Sequence, residues 1–126
     1  MIPEGLKYSK EHEWVNIEGD TVTIGITDYA QGELGDIVFV ELPSVGTKVE
    51  YMQPFGTIEA VKAVSDIFSP VTGEIVEVNT ALEADAGIVN SDPYGSGWII
   101  KVKIEDGSEL DQLLDAAEYQ EHIGQN

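Results

Sequence analysis

Lys62 is the residue of this chain whose surroundings ask for a chemical explanation. In the stretch EAVKAVSD, residues 59–66, apolar and polar positions alternate on both sides of the lysine, which predicts strands over 55–61 and 63–68 that meet there. A two-residue hairpin loop ordinarily uses Asn-Gly, Asp-Gly or Gly-X, because its backbone enters positive φ. Lys62 and Ala63 supply none of these. With that loop Val61 faces Val64, Ile58 faces Ile67 and Thr57 faces Phe68, so apolar residues meet each other; Glu59 then faces Asp66, and like charges repel. A lysine in a polar loop is in most proteins a solvated charge. Two locally unfavourable choices around this one point instead to selection for something other than stability, namely a primary amine held in solvent at a bend.

Other chemistry finds little support. The chain has no cysteine, which excludes disulfides, thiolate metal sites and cysteine nucleophiles. His12 in HEWV is not followed by a second histidine at zinc-binding spacing, and His122 is the only other one. Gly32 with Gly35, and Gly95 with Gly97, match neither G-x-G-x-x-G nor a P-loop, and are explained by turns and strand starts. Acid pairs such as Glu11 with Glu13, or Glu105 with Asp106, could support acid-base work, but no nucleophile, metal set or oxyanion device accompanies them. No catalysis by this chain alone is expected.

The 126 residues suit a single domain, 1–126, and carry a formal charge of -18, from 24 acidic residues against 6 lysines. That balance argues against nucleic acid, phosphate-rich ligands and anionic membranes, and for partners that are basic or indifferent to charge. No apolar run approaches the roughly 20 residues of a membrane span, and MIPEGLKYSKEHEW resembles neither a signal nor a transit peptide. A soluble, cytoplasmic monomer is the expectation, with a mature mitochondrial form less favoured.

The elements that must position Lys62 are mostly strands. Val15 and Ile17, then Val22, Ile24 and Ile26, alternate around EGD and predict an N-terminal hairpin. Thr27 can cap a short helical turn through DYAQGEL, stopped by Gly35. Further strands are predicted over 36–42, 74–79 and 98–104, a turn at Asp92-Pro93-YGSG, and core roles for Trp14 and Trp98. A capping pattern from Ser108 to Asp111, with Leu110, Leu113, Leu114 and Ala117 at helical spacing, predicts one amphipathic helix over about 108–122. GDIVFVEL at 35 recurs as GEIVEVNT at 73, and FGTIEAV at 55 as SGWIIKV at 96, with offsets of 73 − 35 = 38 and 97 − 56 = 41. Two half-units that cannot bury their apolar faces alone imply a small sandwich of two related layers, with Lys62 between them.

The segment EAVKAVSDIFSPVTGEIVEVN resembles the lipoyl-lysine hairpin of the glycine cleavage system H-protein family. KYSKEHEWV, GITDYAQGELGDIVFVELP, IVNSDPYGSGWIIKVK and LLDAAEYQ resemble further segments of it, in the family's order and over almost the whole chain. Departures are Ala60, where the family commonly has serine, and ADAGIVN at 84–90; neither touches the lysine.

The resemblance implies a mainly β fold: a lipoyl/biotinyl-type β-sandwich (barrel-sandwich hybrid) with an N-terminal hairpin, a short helix and a C-terminal helix, its lipoyl hairpin over about 55–69. It implies lipoic acid joined to Lys62 by an amide, giving a flexible arm that ends in a dithiolane. A pyridoxal-phosphate glycine decarboxylase would load the arm with the aminomethyl group, an aminomethyltransferase would pass the methylene to tetrahydrofolate, and a dihydrolipoyl dehydrogenase would reoxidise the dithiol with FAD and NAD. Lipoylating enzymes complete the implied partners. The chain would then be a carrier, with the hard chemistry left to cofactors. Glu13 and Asp66 match family positions associated with an arm-docking cleft. The resemblance leaves one alternative, a relay handing lipoate to 2-oxo acid dehydrogenases; a biotin carrier fits less well, because VKA lacks flanking methionines.

Overall fold

A computed structural model describes residues 2–124. Its order is β1 (Lys7–Tyr8), β2 (Glu13–Glu18), β3 (Thr21–Ile26), α1 (Asp28–Leu34), β4 (Ile37–Glu41), β5 (Lys48–Val49), β6 (Pro54–Ala60), β7 (Val64–Phe68), β8 (Gly73–Val78), α2 (Ala81–Ala84), α3 (Ile88–Ser91), β9 (Ile100–Ile104), a 3-10 turn (Gly107–Gln112) and α4 (Ala116–His122). The strands form two antiparallel sheets, a six-stranded one in the order β1-β2-β3-β9-β8-β5 and a three-stranded one in the order β4-β6-β7. The expected mainly β sandwich is what forms.

Period-2 alternation decides which face is inside. Val15, Val22, Ile24, Ile75 and Val102 of the larger sheet pack against Ile37, Val40, Ile58 and Ile67 of the smaller in one buried cluster. Burying such side chains contributes about 1.5–3 kcal/mol each. A second cluster, Tyr8, Trp14 and Tyr119, lies elsewhere. Trp14 sits opposite Gly25 on β3, where any Cβ would come within 2.6 Å of the indole ring, and its Nε1–H donates to the Pro93 carbonyl at 2.9 Å.

The repeat is visible in space. Its two halves pair alike, β4 with β6 and β8 with β9. Each pair breaks register at one residue, Val38 between Ile37 and Phe39, and Val76 between Ile75 and Glu77. These bulges are separated by 76 − 38 = 38 residues, the offset of the glycine-led motifs.

Two expectations are corrected. The hairpin register runs Glu59 to Val64, Ile58 to Ser65 and Thr57 to Asp66, so the bend is made by Val61 and Lys62, and Glu59 faces an apolar residue, not Asp66. No primed turn is needed: among the described residues only His12 and Met52 combine a side chain with positive φ. The bend is closed by the Ala60 N–H donating to the Ala63 carbonyl at 2.7 Å and braced by the Val61 N–H donating to the Asp36 carbonyl at 2.9 Å. The continuous helix expected over about 108–122 is two pieces. Leu113 turns extended (ψ 160°) and Leu114 exchanges two backbone hydrogen bonds with Tyr8, at 2.8 and 2.7 Å. Asp115 then caps α4 afresh in a capping box with Glu118. Pairing with β1 outweighs local helical preference.

Candidate functional site

Lys62 stands exposed on the bend between β6 and β7. Its stem crosses Gly35, which ends α1 at φ 82° with its N–H on the Gln31 carbonyl. A Cβ at Gly35 would lie 3.1 Å from the lysine Cε and 3.7 Å from Nζ, so a bare glycine keeps that seat open.

Residues 35–37 are held from two sides. The Asn90 Oδ1 accepts from the Ile37 N–H at 2.8 Å, while its Nδ2 donates to the Gln31 Oε1 at 2.8 Å and to the Gly35 carbonyl at 2.9 Å. On the other side the Asp36 carbonyl receives the Val61 N–H. Asn90 therefore reaches the lysine bend through one short piece of backbone.

Beside the hairpin lies a cleft of about 230 Å³, with Glu13, Asp66 and His12 among its polar walls and Leu34 and Ile58 among its apolar ones. Leu34 directly precedes Gly35, so the cleft wall and the lysine seat share the end of α1. The structure brings Glu13 and Asp66 into this one cleft; Lys62 is not part of its lining.

The two acids differ in environment. Asp66 is exposed opposite Thr57, whereas Glu13 is only 2% exposed. Burial pushes the Glu13 carboxyl up to about 8, from an ordinary 4.5; hydrogen bonds donated by the Ser9 hydroxyl to Oε1 and by the Phe68 N–H to Oε2 hold it partly back. Near neutral pH the protonated form therefore predominates.

His12 is held left-handed, with φ 72°, at a cost of order 1–3 kcal/mol. Its Nδ1 lies 2.8 Å from the Tyr119 hydroxyl, itself 2.7 Å from the Thr27 Oγ1. The His12 ring also packs on Tyr29, with centroids 5.1 Å apart. Burial, then the neighbouring His122, lowers its pKa, favouring the neutral ring. Through Tyr119 the cleft wall is tied to α4.

Ser9 and Asn90 belong to this constellation without having stood out in the sequence, and so does His12, which the sequence offered only as a zinc ligand to be set aside. Ser9 and Asn90 act by hydrogen bonds that no local pattern encodes. His12 could have been found only as one of two histidines directly beside a candidate acid.

The family model described as glycine cleavage H-protein matches residues 6–126. A glycine cleavage system H protein of Staphylococcus carnosus is 58% identical over 124 residues, covering 98% of each chain. One of Chlorobium phaeobacteroides is 55% identical over 125 residues, again covering 98% of each. A crystal structure of a glycine cleavage system H protein from Mycobacterium marinum superposes with a TM-score of 0.87 at 41% identity, covering 98% of this chain and 99% of that one.

Proposed function

The chain belongs to the glycine cleavage H-protein family, and from that premise we propose that Lys62 bears lipoic acid in amide linkage and that the chain serves as a non-catalytic carrier in glycine cleavage. The observation that carries the proposal is the placement of Lys62: an exposed amine on a braced bend, its stem laid across a glycine that leaves it room, next to a cleft.

The residues present fit such a group. The amine is accessible for acylation, and the cleft mixes apolar wall with the carboxyls of Glu11, Glu13, Glu33 and Asp66, as a chain of methylenes ending in sulfur and, when loaded, an amine requires. Held on Lys62, a lipoyl group would supply a dithiolane able to accept the aminomethyl unit from the pyridoxal-phosphate decarboxylase, with its methylene then passing to tetrahydrofolate and ammonia leaving, and a dithiol left for dihydrolipoyl dehydrogenase to reoxidise.

The protein's own residues supply placement and shelter. Gly35 and Asp36 hold the bend outward, so lipoylating enzymes and the three partner enzymes can reach the same point. Ile58 and Leu34 exclude water from a docked arm, which slows hydrolysis of an unstable cargo. Glu13 can cede its proton to an arriving free amine: the ammonium so formed stabilises the carboxylate that burial alone disfavours. Asp66, which is exposed, adds a further carboxyl to the cleft lining.

Acylation removes one ammonium and takes the formal charge from -18 to -18 − 1 = -19. Bacterial relatives, and the lack among the described residues of a helix long and apolar enough to cross a membrane, support placing the carrier in the cytoplasm. Intact mass after coexpression with a lipoylating enzyme tests the proposal. A lipoyl adduct located at Lys62 and missing from Lys62→Arg is expected; an unmodified wild-type chain, or an adduct that survives the substitution, refutes it.

A further inference from the structure

Among the described residues eight large apolar side chains are conspicuously exposed, and four of them, Val38 (58%), Phe39 (47%), Val61 (75%) and Val64 (66%), surround the lysine bend. Phe39 pairs with Glu59, and Glu59 with Val64, so the three form one row across β4, β6 and β7 on the solvent face. Val61 sits in the bend itself. Strict alternation would have turned one of Val38 and Phe39 inward; the bulge sets two residues against one and leaves both outside.

The repeat provides an internal control. At the matching bulge in the other half, 38 + 38 = 76 and 39 + 38 = 77, the outward pair is Val76 and Glu77. Glu77 lies 3.9 Å from Lys101, an ordinary exposed ion pair. This bulge therefore accepts a charged residue where the lysine-bearing half keeps an aromatic one. Phe39 is not required by the backbone geometry.

Resting on the carrier reading above, we infer that the Phe39–Glu59–Val64 row, with Val38 and Val61, is the surface on which partner enzymes seat when they act on the Lys62 arm. The partner it fits presents an apolar recess ringed by lysine or arginine at its active-site mouth. Charge complementarity selects that occupant. Glu59 lies within the row and Asp36, Glu41 and Asp66 border it, all four exposed, and across residues 36–41 and 54–68 the sole cation is Lys62, which acylation neutralises. A second copy at -18 would bring like charges face to face. Apolar side chains on both sides of one acid, with further acids around them, suit a recess that is apolar and ringed by cations, and in a protein interface a few such apolar anchors dominate.

The test uses the full lipoylated chain as varied substrate of the aminomethyltransferase of the glycine cleavage system. Phe39→Thr combined with Val64→Thr keeps β-forming residues and removes the apolar anchors. We expect KM to rise about tenfold with kcat unchanged, and the ratio to wild type to persist at high salt, because an apolar contact is not screened. Ile17→Thr, an exposed apolar residue on the other sheet, should leave KM as it was. A wild-type KM for the double variant, or an equal rise from Ile17→Thr, overturns the inference. So does salt-resistant self-association of wild type that the double variant abolishes, since the occupant would then be a second copy. The carrier reading fails separately: it falls if Lys62→Arg still supports turnover, and stands if only the double variant behaves as wild type.

Discussion

Glu13 decides what the cleft can do, because it puts a carboxyl where water does not reach. Its pKa of about 8 against an ordinary 4.5 means that between these values the folded chain holds a proton which the unfolded chain has released. Stability from this residue is therefore complete below about pH 4.5 and is lost as pH rises to about 8, by at most about 1.4 kcal/mol per pH unit. Glu13→Gln cannot titrate. In urea unfolding across that range, the wild-type free energy should fall relative to the variant as pH rises, and parallel curves would remove the buried carboxyl from the account. On the lipoylated, loaded protein the same substitution should speed breakdown of the cargo without preventing lipoylation. Part of this was legible: the inward phase of Val15, stepped back by two, lands on Glu13. The Ser9 hydroxyl that bonds it was not, since nothing in SKEHE says that the loop folds back on itself.

At the scale of elements, local signals read well and long-range ones did not. Thr27 and Gly35 bracket α1 as their chemistry predicts, and the N-terminal hairpin forms where alternation placed it. The bend at Lys62 was placed one residue late because its geometry is set by Asp36, a residue of the neighbouring strand's approach, and not by turn chemistry. The break at Leu113 is likewise caused by β1, more than a hundred residues away. The short helices α2 and α3 fall in the segment around ADAGIVN and were not anticipated. Asn90, at the end of that segment, gives the element-scale prediction. Asn90→Ala strips the Ile37 N–H and the Gly35 carbonyl of their side-chain partner, at about 1–3 kcal/mol, and loosens the backbone that braces the bend. Acylation of Lys62 by a lipoate ligase should slow severalfold. Ile75→Val, a buried substitution costing about 0.5–1.5 kcal/mol, should leave the rate alone. Equal slowing in both variants would mean that Asn90 acts through general stability.

Over the whole molecule, two related strand pairs share one core, and they differ at matching positions. One half carries the lysine bend and an apolar outer row; the other carries an ion pair at the matching bulge. On the proposed reading, the formal charge of -18 disfavours acidic partners and the exposed apolar side chains offer a contact to basic ones. The chain belongs to the glycine cleavage H-protein family, and the carrier role proposed for it rests on the exposed amine of Lys62. The most direct test is glycine-dependent NAD reduction in a mixture of the decarboxylase, the aminomethyltransferase, dihydrolipoyl dehydrogenase and this chain after lipoylation. The account predicts saturable turnover with the lipoylated wild type and none with Lys62→Arg; turnover sustained by Lys62→Arg, or none from the lipoylated wild type with competent enzymes, would contradict it.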